Sequence, residues 1–256
     1  TLNGEGLQHE DGHSHVLATT FPNLKSYDPA FAYELAVIVQ DGIRRMYQLG
    51  ENIFYYITLY NENYPMPAMP AGEEVRAGII KGAYCWQSRQ GSGEEVDLLA
   101  SGSMMQQAIA AAQQLQSMGY APAIWSVTSY VELAREAEAC ERESRLNPLQ
   151  PRRQPYVESL FAERQGPIIA VTDYLKGLPG SIARWMPASF TVLGTDGFGL
   201  SESREDLRNH FEVSAAHIVQ AALVDLYRKG AIGEQEMREQ LDTLAIDAAK
   251  IDPVAR

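Results

Sequence analysis

Apolar residues are sparse at the start of the chain, where Leu2 and Leu7 stand among Gly, Asn, His and Ser, and this pattern predicts loop over residues 1 to 27. The spacing changes at "YDPAFAYELAVIVQDGIRRMYQLG". Phe31, Leu35, Ile38 and Met46 recur at helical intervals, Asp28 offers an N-cap, Pro29 takes the first helical position and Gly50 a stop, so a helix is predicted over about 29 to 49. "NIFYYITLYNENY" is β-branched and aromatic, which predicts a buried strand near 53 to 59 ending in a polar turn. Three prolines between Pro65 and Gly72 mark a linker.

Beyond the linker, strand-like and helix-like stretches alternate. "EVDLLA" reads as a strand, and "GSMMQQAIAAAQQLQSMG" as a helix with Met105, Ile109, Ala112 and Leu115 on one face and Gly119 ending it. "PAIWSVTS" is a second strand, followed by the helical "SYVELAREAEACERESR", in which Ser129 and Glu132 have capping-box spacing. "GPIIAVTDYL" and "FTVLGTDGFG" predict two further strands, and "SAAHIVQAALVDLYRKG" and "GEQEMREQLDTLA" two amphipathic helices. Alternation of this kind implies an α/β fold with a mainly parallel sheet between helices.

The charge balance narrows the partners. Lys and Arg total 21 against 33 Asp and Glu, a net charge of −12, which argues against an electrostatic grip on nucleic acid or an anionic membrane and leaves a small molecule or another protein. The two cysteines, Cys85 and Cys140, lack redox or zinc spacing and are expected to be buried, reduced thiols. No apolar run approaches the roughly 20 residues a membrane span needs, and no signal peptide is apparent, so a cytoplasmic protein is expected. The chain begins at Thr1, with its most chemically loaded stretch first, and reads as a piece of something longer.

That stretch is "QHEDGHSH", which holds three of the five histidines. His9, Glu10 and His13 spell H-E-x-x-H, a zinc signature that works only where a helix sets both imidazoles on one face. Here Asp11 and Gly12 occupy the would-be helix interior and no apolar stripe supports it, so zinc is not expected. The alternatives are a solvated surface loop, or a loop whose histidines and carboxylates face a ligand.

The strings "TLNGEGLQHEDGHSH", "SYDPAFAYE", "YYITLYNENYPMPAMP" and "VLGTDGFGLSESREDLRNHFEV" resemble the homodimeric type of pyruvate dehydrogenase, the decarboxylating first component of the pyruvate dehydrogenase complex. More distantly, "EDGHSH" is similar to the E-D-G-x-T-H loop of transketolases, members of the same thiamine-diphosphate superfamily. The resemblance runs from Thr1 to the C-terminus. It implies the last part of a pyrimidine-binding middle domain over 1 to 68, a linker over 69 to 72, and a transketolase C-terminal-like domain over 73 to 256. It further implies thiamine diphosphate and Mg²⁺ in the full-length enzyme. Neither is expected to be held by this chain alone, because the family's G-D-G…N-N segment is not in it and its activating Glu is expected to precede Thr1. The implied partners are a second copy of the subunit, the dihydrolipoyl acetyltransferase subunit and pyruvate, and the implied reaction decarboxylates pyruvate and reductively acetylates a lipoyl group.

By the same resemblance His9, in G-E-G-L-Q-H, is the expected catalytic histidine and Glu5 its companion carboxylate, while Asp11 and His15 are expected to touch substrate. An imidazole suits proton transfer because its ordinary pKa of about 6.5 keeps both forms accessible near neutrality. Other residues have plainer expected roles. "GTDGFG" is a turn after a strand, His210 and His217 are structural, Tyr55, Tyr56 and Tyr60 belong to the strand core, and "REAEACERE" is a solvated helix face. A non-catalytic dimerisation module remains the competing function, since such a domain can serve as a platform alone.

Overall fold

The computed structural model describes residues 6–255. The segment expected to be loop carries structure: a 3-10 turn at Leu7–His9, helix α1 at Ser14–Ala18 and strand β1 at Leu24–Tyr27. Four residues with one lysine give no readable alternation; β1 exists because it pairs in parallel with a strand far ahead in sequence. Helix α2, Ala32–Ile43, runs on into a π turn at Arg44–Gln48. Its cap differs from expectation. Phe31 is the N-cap, and Glu34 reaches back so that Oε2 accepts from the amides of Ala30 (2.6 Å) and Phe31 (3.1 Å). Strand β2, Phe54–Ile57, completes the two-stranded sheet, in register from Leu24 opposite Phe54 to Tyr27 opposite Ile57. It is not the buried strand expected: Phe54 and Tyr56 are 47% and 36% exposed, while Tyr55 stacks on Tyr27.

After the proline-rich stretch come two elements the pattern did not predict, helix α3 at Glu73–Lys81 and strand β3 at Tyr84–Gln87. Between them Gly82 takes a φ of +113°, and a Cβ there would lie 2.4 Å from the carbonyl of Ser129, so only glycine allows this close turn. The expected alternation then follows with β4 at Glu95–Ala100, α4 at Met104–Ser117, β5 at Ala121–Ser126, α5 at Tyr130–Leu146 and β6 at Ile168–Val171, and a helix not predicted, α6 at Tyr156–Phe161, lies before β6. Short helix α7 spans Gly177–Gly180, strand β7 Phe190–Leu193, and helices α8, α9 and α10 span Arg204–His210, Ala215–Arg228 and Glu234–Asp242. No helix among the described residues is long and apolar enough to cross a membrane.

The five strands are ordered β3-β5-β4-β6-β7, all parallel except the edge strand β3. The strand period of two divides the core between the faces. Val96, Leu98, Ala100, Ile169 and Val171 point to one side, against α4 and α9; Leu99, Ile168 and Ala170 point to the other, against α5 and α6. Each fully buried leucine contributes about 1.5–3 kcal/mol. Asp97 lies among them without exposure because the Trp125 indole (2.8 Å) and Arg89 (2.9 Å) both donate to its carboxylate. Cys140 is buried; Cys85 is only half-buried, and both are free thiols.

The small sheet is bonded to the larger one. The Asp28 amide donates to the carbonyl of Thr128 (2.8 Å), the Gly102 amide to that of Asp28 (3.2 Å), and the Ser129 hydroxyl to that of Ser26 (2.6 Å). Glu34 Oε1 accepts from Tyr84 (2.7 Å) and Ser126 (2.6 Å), and Tyr27, Val37, Ile38, Val75, Ile79 and Tyr84 share a third core across the join. Arg135 on α5 donates to carbonyls of Ala18, Phe21 and Leu24 and holds the path between α1 and β1.

Candidate functional site

The parallel strands β2, β6 and β7 end on the same side, and the loops leaving their carboxyl ends surround a cavity of about 330 Å³. Ligands of open parallel sheets bind at such ends, where strands stop supplying side chains to the core and loops diverge. Thr58, Leu59 and Tyr60 come from the loop after β2, Asp173 and Tyr174 from that after β6, and Thr195, Gly197, Phe198 and Gly199 from that after β7. The segment His9–Gly12 completes the lining. It is fastened there by backbone: the Gly6 amide donates to Ser201 Oγ (3.2 Å), and the Gly12 carbonyl accepts from the Leu175 amide (3.1 Å).

The structure brings the expected site residues to this cavity unequally. His9 lines it and is exposed. Asp11 also lines it, but its carboxylate starts α1: Oδ1 accepts from the amides of His13 (3.1 Å) and Ser14 (3.0 Å), and Oδ2 from the Ser14 hydroxyl (2.5 Å). Partial burial would raise this carboxyl, yet the hydrogen bonds from Ser14 and His13 outweigh it and hold the group below the usual carboxylate value. His15 is outside the lining. It is 2% exposed, edge-on to Tyr174 with centroids 4.5 Å apart, and both ring nitrogens are engaged, Nδ1 with Ser26 (2.6 Å) and Nε2 with Thr58 (2.9 Å). Burial pushes its pKa down, opposed by the charges of Asp28 and Asp11. His15, expected to touch substrate, is thus placed behind the lining residues of this cavity. Glu5 lies outside the described residues.

His13 leans on Phe198, ring centroids 5.9 Å apart. The H-E-x-x-H spacing lies on no helix, since the 3-10 turn ends at His9, Glu10 is extended and α1 begins only at Ser14. Among the described residues no group of three or more His, Cys, Asp or Glu is placed to hold a metal ion. The cavity's own charges are the carboxylates of Glu10, Asp11 and Asp173, with no lysine or arginine in the lining. Such a lining suits a cationic or neutral heterocycle and rejects a diphosphate.

Sequence reasoning missed the hydroxyl-bearing walls. Tyr56 lines the cavity and donates weakly to Asp11 (3.4 Å), and Tyr60 donates to the buried Asp28 (2.7 Å) rather than filling apolar core. The "GTDGFG" turn is a turn, as expected, and also a wall: Phe198 at its tip is 88% exposed. The available signal was positional, a polar residue one to three places past each parallel strand. His217, bonded through Nδ1 to Ser214 (2.8 Å), and His210, edge-on to Phe211, both lie outside the cavity lining. The acidic face of α5 is only partly solvated, because Glu136 and Glu143 pair with Arg153, and Glu141 with Arg152.

A parallel sheet with one antiparallel edge strand, helices on both faces and a cavity at the strand ends defines a transketolase-type domain, and the model of the transketolase-like C-terminal domain family matches residues 82–214; the chain belongs to that family. Residues 1–67 match the middle domain of the pyruvate dehydrogenase E1 component. The chain is 48% identical over 256 residues to the pyruvate dehydrogenase E1 component of Escherichia coli (strain K12), covering 99% of this chain and 28% of that protein. It is also 48% identical over 257 residues to the E1 component of Pseudomonas aeruginosa, covering 99% and 29%. The chain thus spans less than a third of the length of these relatives and corresponds to their C-terminal portion. Among solved structures, transketolase from Leishmania mexicana superposes with a TM-score of 0.61 at 17% identity over 88% of this chain and 28% of that one. Transketolase from Campylobacter jejuni gives 0.54 at 16% over 87% and 29%; both likenesses concern the fold alone.

Proposed function

We propose that this chain is the C-terminal portion of a pyruvate dehydrogenase first component and supplies the substrate-facing side of its reaction centre. The observation that carries this is 48% identity across nearly the whole chain, coupled to the position of His9 over the cavity. The boundaries follow as read from the sequence: the end of the pyrimidine-binding middle domain to residue 68, a linker over 69 to 72 and a transketolase C-terminal-like domain from 73 onward. In the whole subunit the cofactor would be thiamine diphosphate with Mg²⁺, which supplies the electron sink for decarboxylation. The acidic lining suits the cationic ring of that cofactor and is unsuited to its diphosphate, so this chain's residues face the reacting end.

His9, exposed at the end of the 3-10 turn that follows Gly6, delivers or accepts the proton at the reacting oxygen of pyruvate or at the lipoyl sulfur. Glu5 is its carboxylate companion. Asp11, held anionic by the start of α1, fixes the loop and offers one acceptor edge to substrate. His15 supports the wall without contacting substrate. The subunit acts in the cytoplasm as a homodimer, linking glycolysis to acetyl-CoA and passing the acetyl group to the lipoyl group of the dihydrolipoyl acetyltransferase. In the whole subunit, supplied with its lipoyl acceptor, His9→Ala lowers turnover by on the order of 10²-fold or more and leaves thiamine-diphosphate affinity largely intact. His13→Ala is mild by comparison. Turnover of His9→Ala equal to the unmodified subunit rejects the proposal.

A further inference from the structure

Behind the cavity wall lies a buried polar chain whose members come from four segments. Ser26 belongs to β1, His15 to α1, Thr58 to the loop after β2, and Asp28 to the turn leaving β1. Ser26 Oγ stands 2.6 Å from His15 Nδ1, and Thr58 Oγ1 stands 2.9 Å from His15 Nε2 and 2.8 Å from Asp28 Oδ1. Tyr60 donates to the same Oδ1 at 2.7 Å. Asp28 Oδ2 and the hydroxyl of nearby Tyr130 are both buried without a partner. Tyr174, the edge-on neighbour of His15, faces Thr58 and Tyr60, and Asp11 is the other carboxylate within reach of the imidazole.

Counting hydrogens fixes the direction of this chain. A threonine hydroxyl has one hydrogen to give. Its acceptors are Asp28 Oδ1 at 2.8 Å, the hydroxyl of Tyr174 and, less well placed, the Tyr27 carbonyl at 3.4 Å, and the carboxylate oxygen is the strongest of the three. With that hydrogen directed to Asp28, Thr58 can meet His15 Nε2 only by accepting, so Nε2 carries the proton, and Nδ1 is left to accept from Ser26. A proton on Asp28, if carried at Oδ2, leaves Oδ1 an acceptor and changes nothing in this order.

We propose that Asp28 is a positioning residue which, through Thr58, locks His15 as the neutral Nε2–H tautomer and so fixes the wall formed by Tyr56, Thr58 and Tyr174. The proposal deepens the reading of this cavity as the reaction centre and rests on it only for the meaning of the wall. It separates His9 from His15 by role. His15 has no proton to deliver into the cavity, since Nε2–H is spent on Thr58 and Nδ1 is spent as an acceptor, and proton transfer falls to His9.

The test needs no turnover, so it stands or falls apart from the assignment of the reaction. The whole chain is labelled with ¹⁵N-histidine, and the ring nitrogens of its five histidines are correlated with their ring protons near neutral pH, with His15→Gln identifying the signals of His15. The expected pattern for His15 is protonated Nε2 and unprotonated Nδ1. Asp28→Asn, which keeps an acceptor at the Oδ1 position, preserves it; Asp28→Ala frees the Thr58 hydroxyl to donate to Nε2 and moves His15 to the Nδ1–H or a mixed pattern. Thr58→Val, which removes the acceptor of the Nε2 proton with little change of shape, also loses the pure Nε2–H pattern and stands in if Asp28→Ala does not fold. Nδ1–H or imidazolium in the unmodified chain overturns the proposal, as does a pure Nε2–H pattern that survives loss of the Asp28 carboxyl or, in its stead, of the Thr58 hydroxyl.

Discussion

Glu34 sits where the small sheet meets the large one, fully buried, and replacing it by alanine should be among the more damaging single changes in the chain. Four donors converge on its carboxylate: the amides of Ala30 and Phe31, and the hydroxyls of Tyr84 and Ser126. In Glu34→Ala the Tyr84 hydroxyl can fall back on Tyr33, 2.5 Å away, but the two amides have no other acceptor. At about 1–3 kcal/mol for each buried donor left unmet, the expected loss is about 3–5 kcal/mol, after allowing that burying the carboxylate was itself costly. Glu34→Gln keeps an acceptor for the amides and its loss should be nearer 1 kcal/mol. The two variants also differ in pH response. Burial raises the Glu34 pKa, against the lowering effect of its hydrogen bonds, so the folded state holds the proton more tightly than the unfolded one. The stability from this group is therefore full below the unfolded carboxyl value of about 4.3 and is lost as pH rises through the folded value. Glutamine does not titrate, and the gap between the unmodified chain and Glu34→Gln should narrow between about pH 5 and about pH 8. Urea midpoints of the three proteins at both pH values, read at constant m, measure this. A loss below about 1 kcal/mol in Glu34→Ala, or a gap to Glu34→Gln that widens with pH, would refute the reasoning.

Arg135→Ala removes the guanidinium that binds four carbonyls from Ala18 to Leu24, and cleavage between Ala18 and Leu24 in limited proteolysis should rise by about tenfold or more, the ratio set by ~1.4 kcal/mol of easier opening; equal rates contradict it. His15, whose folded pKa is pushed down by burial, contributes stability that is full above its unfolded value of about 6.5 and is lost as pH falls below it. The midpoint difference between the unmodified chain and His15→Gln should accordingly shrink on going from about pH 7 to about pH 5; a difference that grows in that direction would falsify the assignment of a buried neutral imidazole.

How much of this was legible depended on length and period. Helices α2, α4 and α9 repeat their apolar spacing over twelve or fourteen residues and could be read directly. Strand β1 could not, because Leu-Lys-Ser-Tyr shows neither alternation nor an apolar run, and its pairing with β2 is a tertiary fact. Helix α3 was hidden by Gly78, which sits in its interior because a Cβ there would come within 2.7 Å of Ala83 and Tyr84. At the site, the family likeness located the loop from Gly6 to His15 and singled out His9 within it, but not the burial of His15. The engagement of both His15 ring nitrogens rests on Ser26 and Thr58, distant in sequence and adjacent only once the two parallel strands pair. Tyr55 and Tyr56 are neighbours in sequence with opposite fates, one stacked on Tyr27 and one at the cavity, because adjacent residues of a strand face opposite ways.

The chain's three tryptophans, Trp86, Trp125 and Trp185, all lie after the proline-rich stretch, so intrinsic emission is blind to most of what precedes it. Trp125, clasped by Asp97 and tilted against Phe161, reports the interior of the large sheet, and Trp185 beneath Arg184 reports its flank. Trp86 alone looks the other way, stacked on Phe31 at 5.5 Å. A fluorescence melt of this protein therefore follows the large sheet through two lamps and the seam through one, and a partial separation of the small sheet would register as a change in a single fluorophore while the other two stayed dark to it.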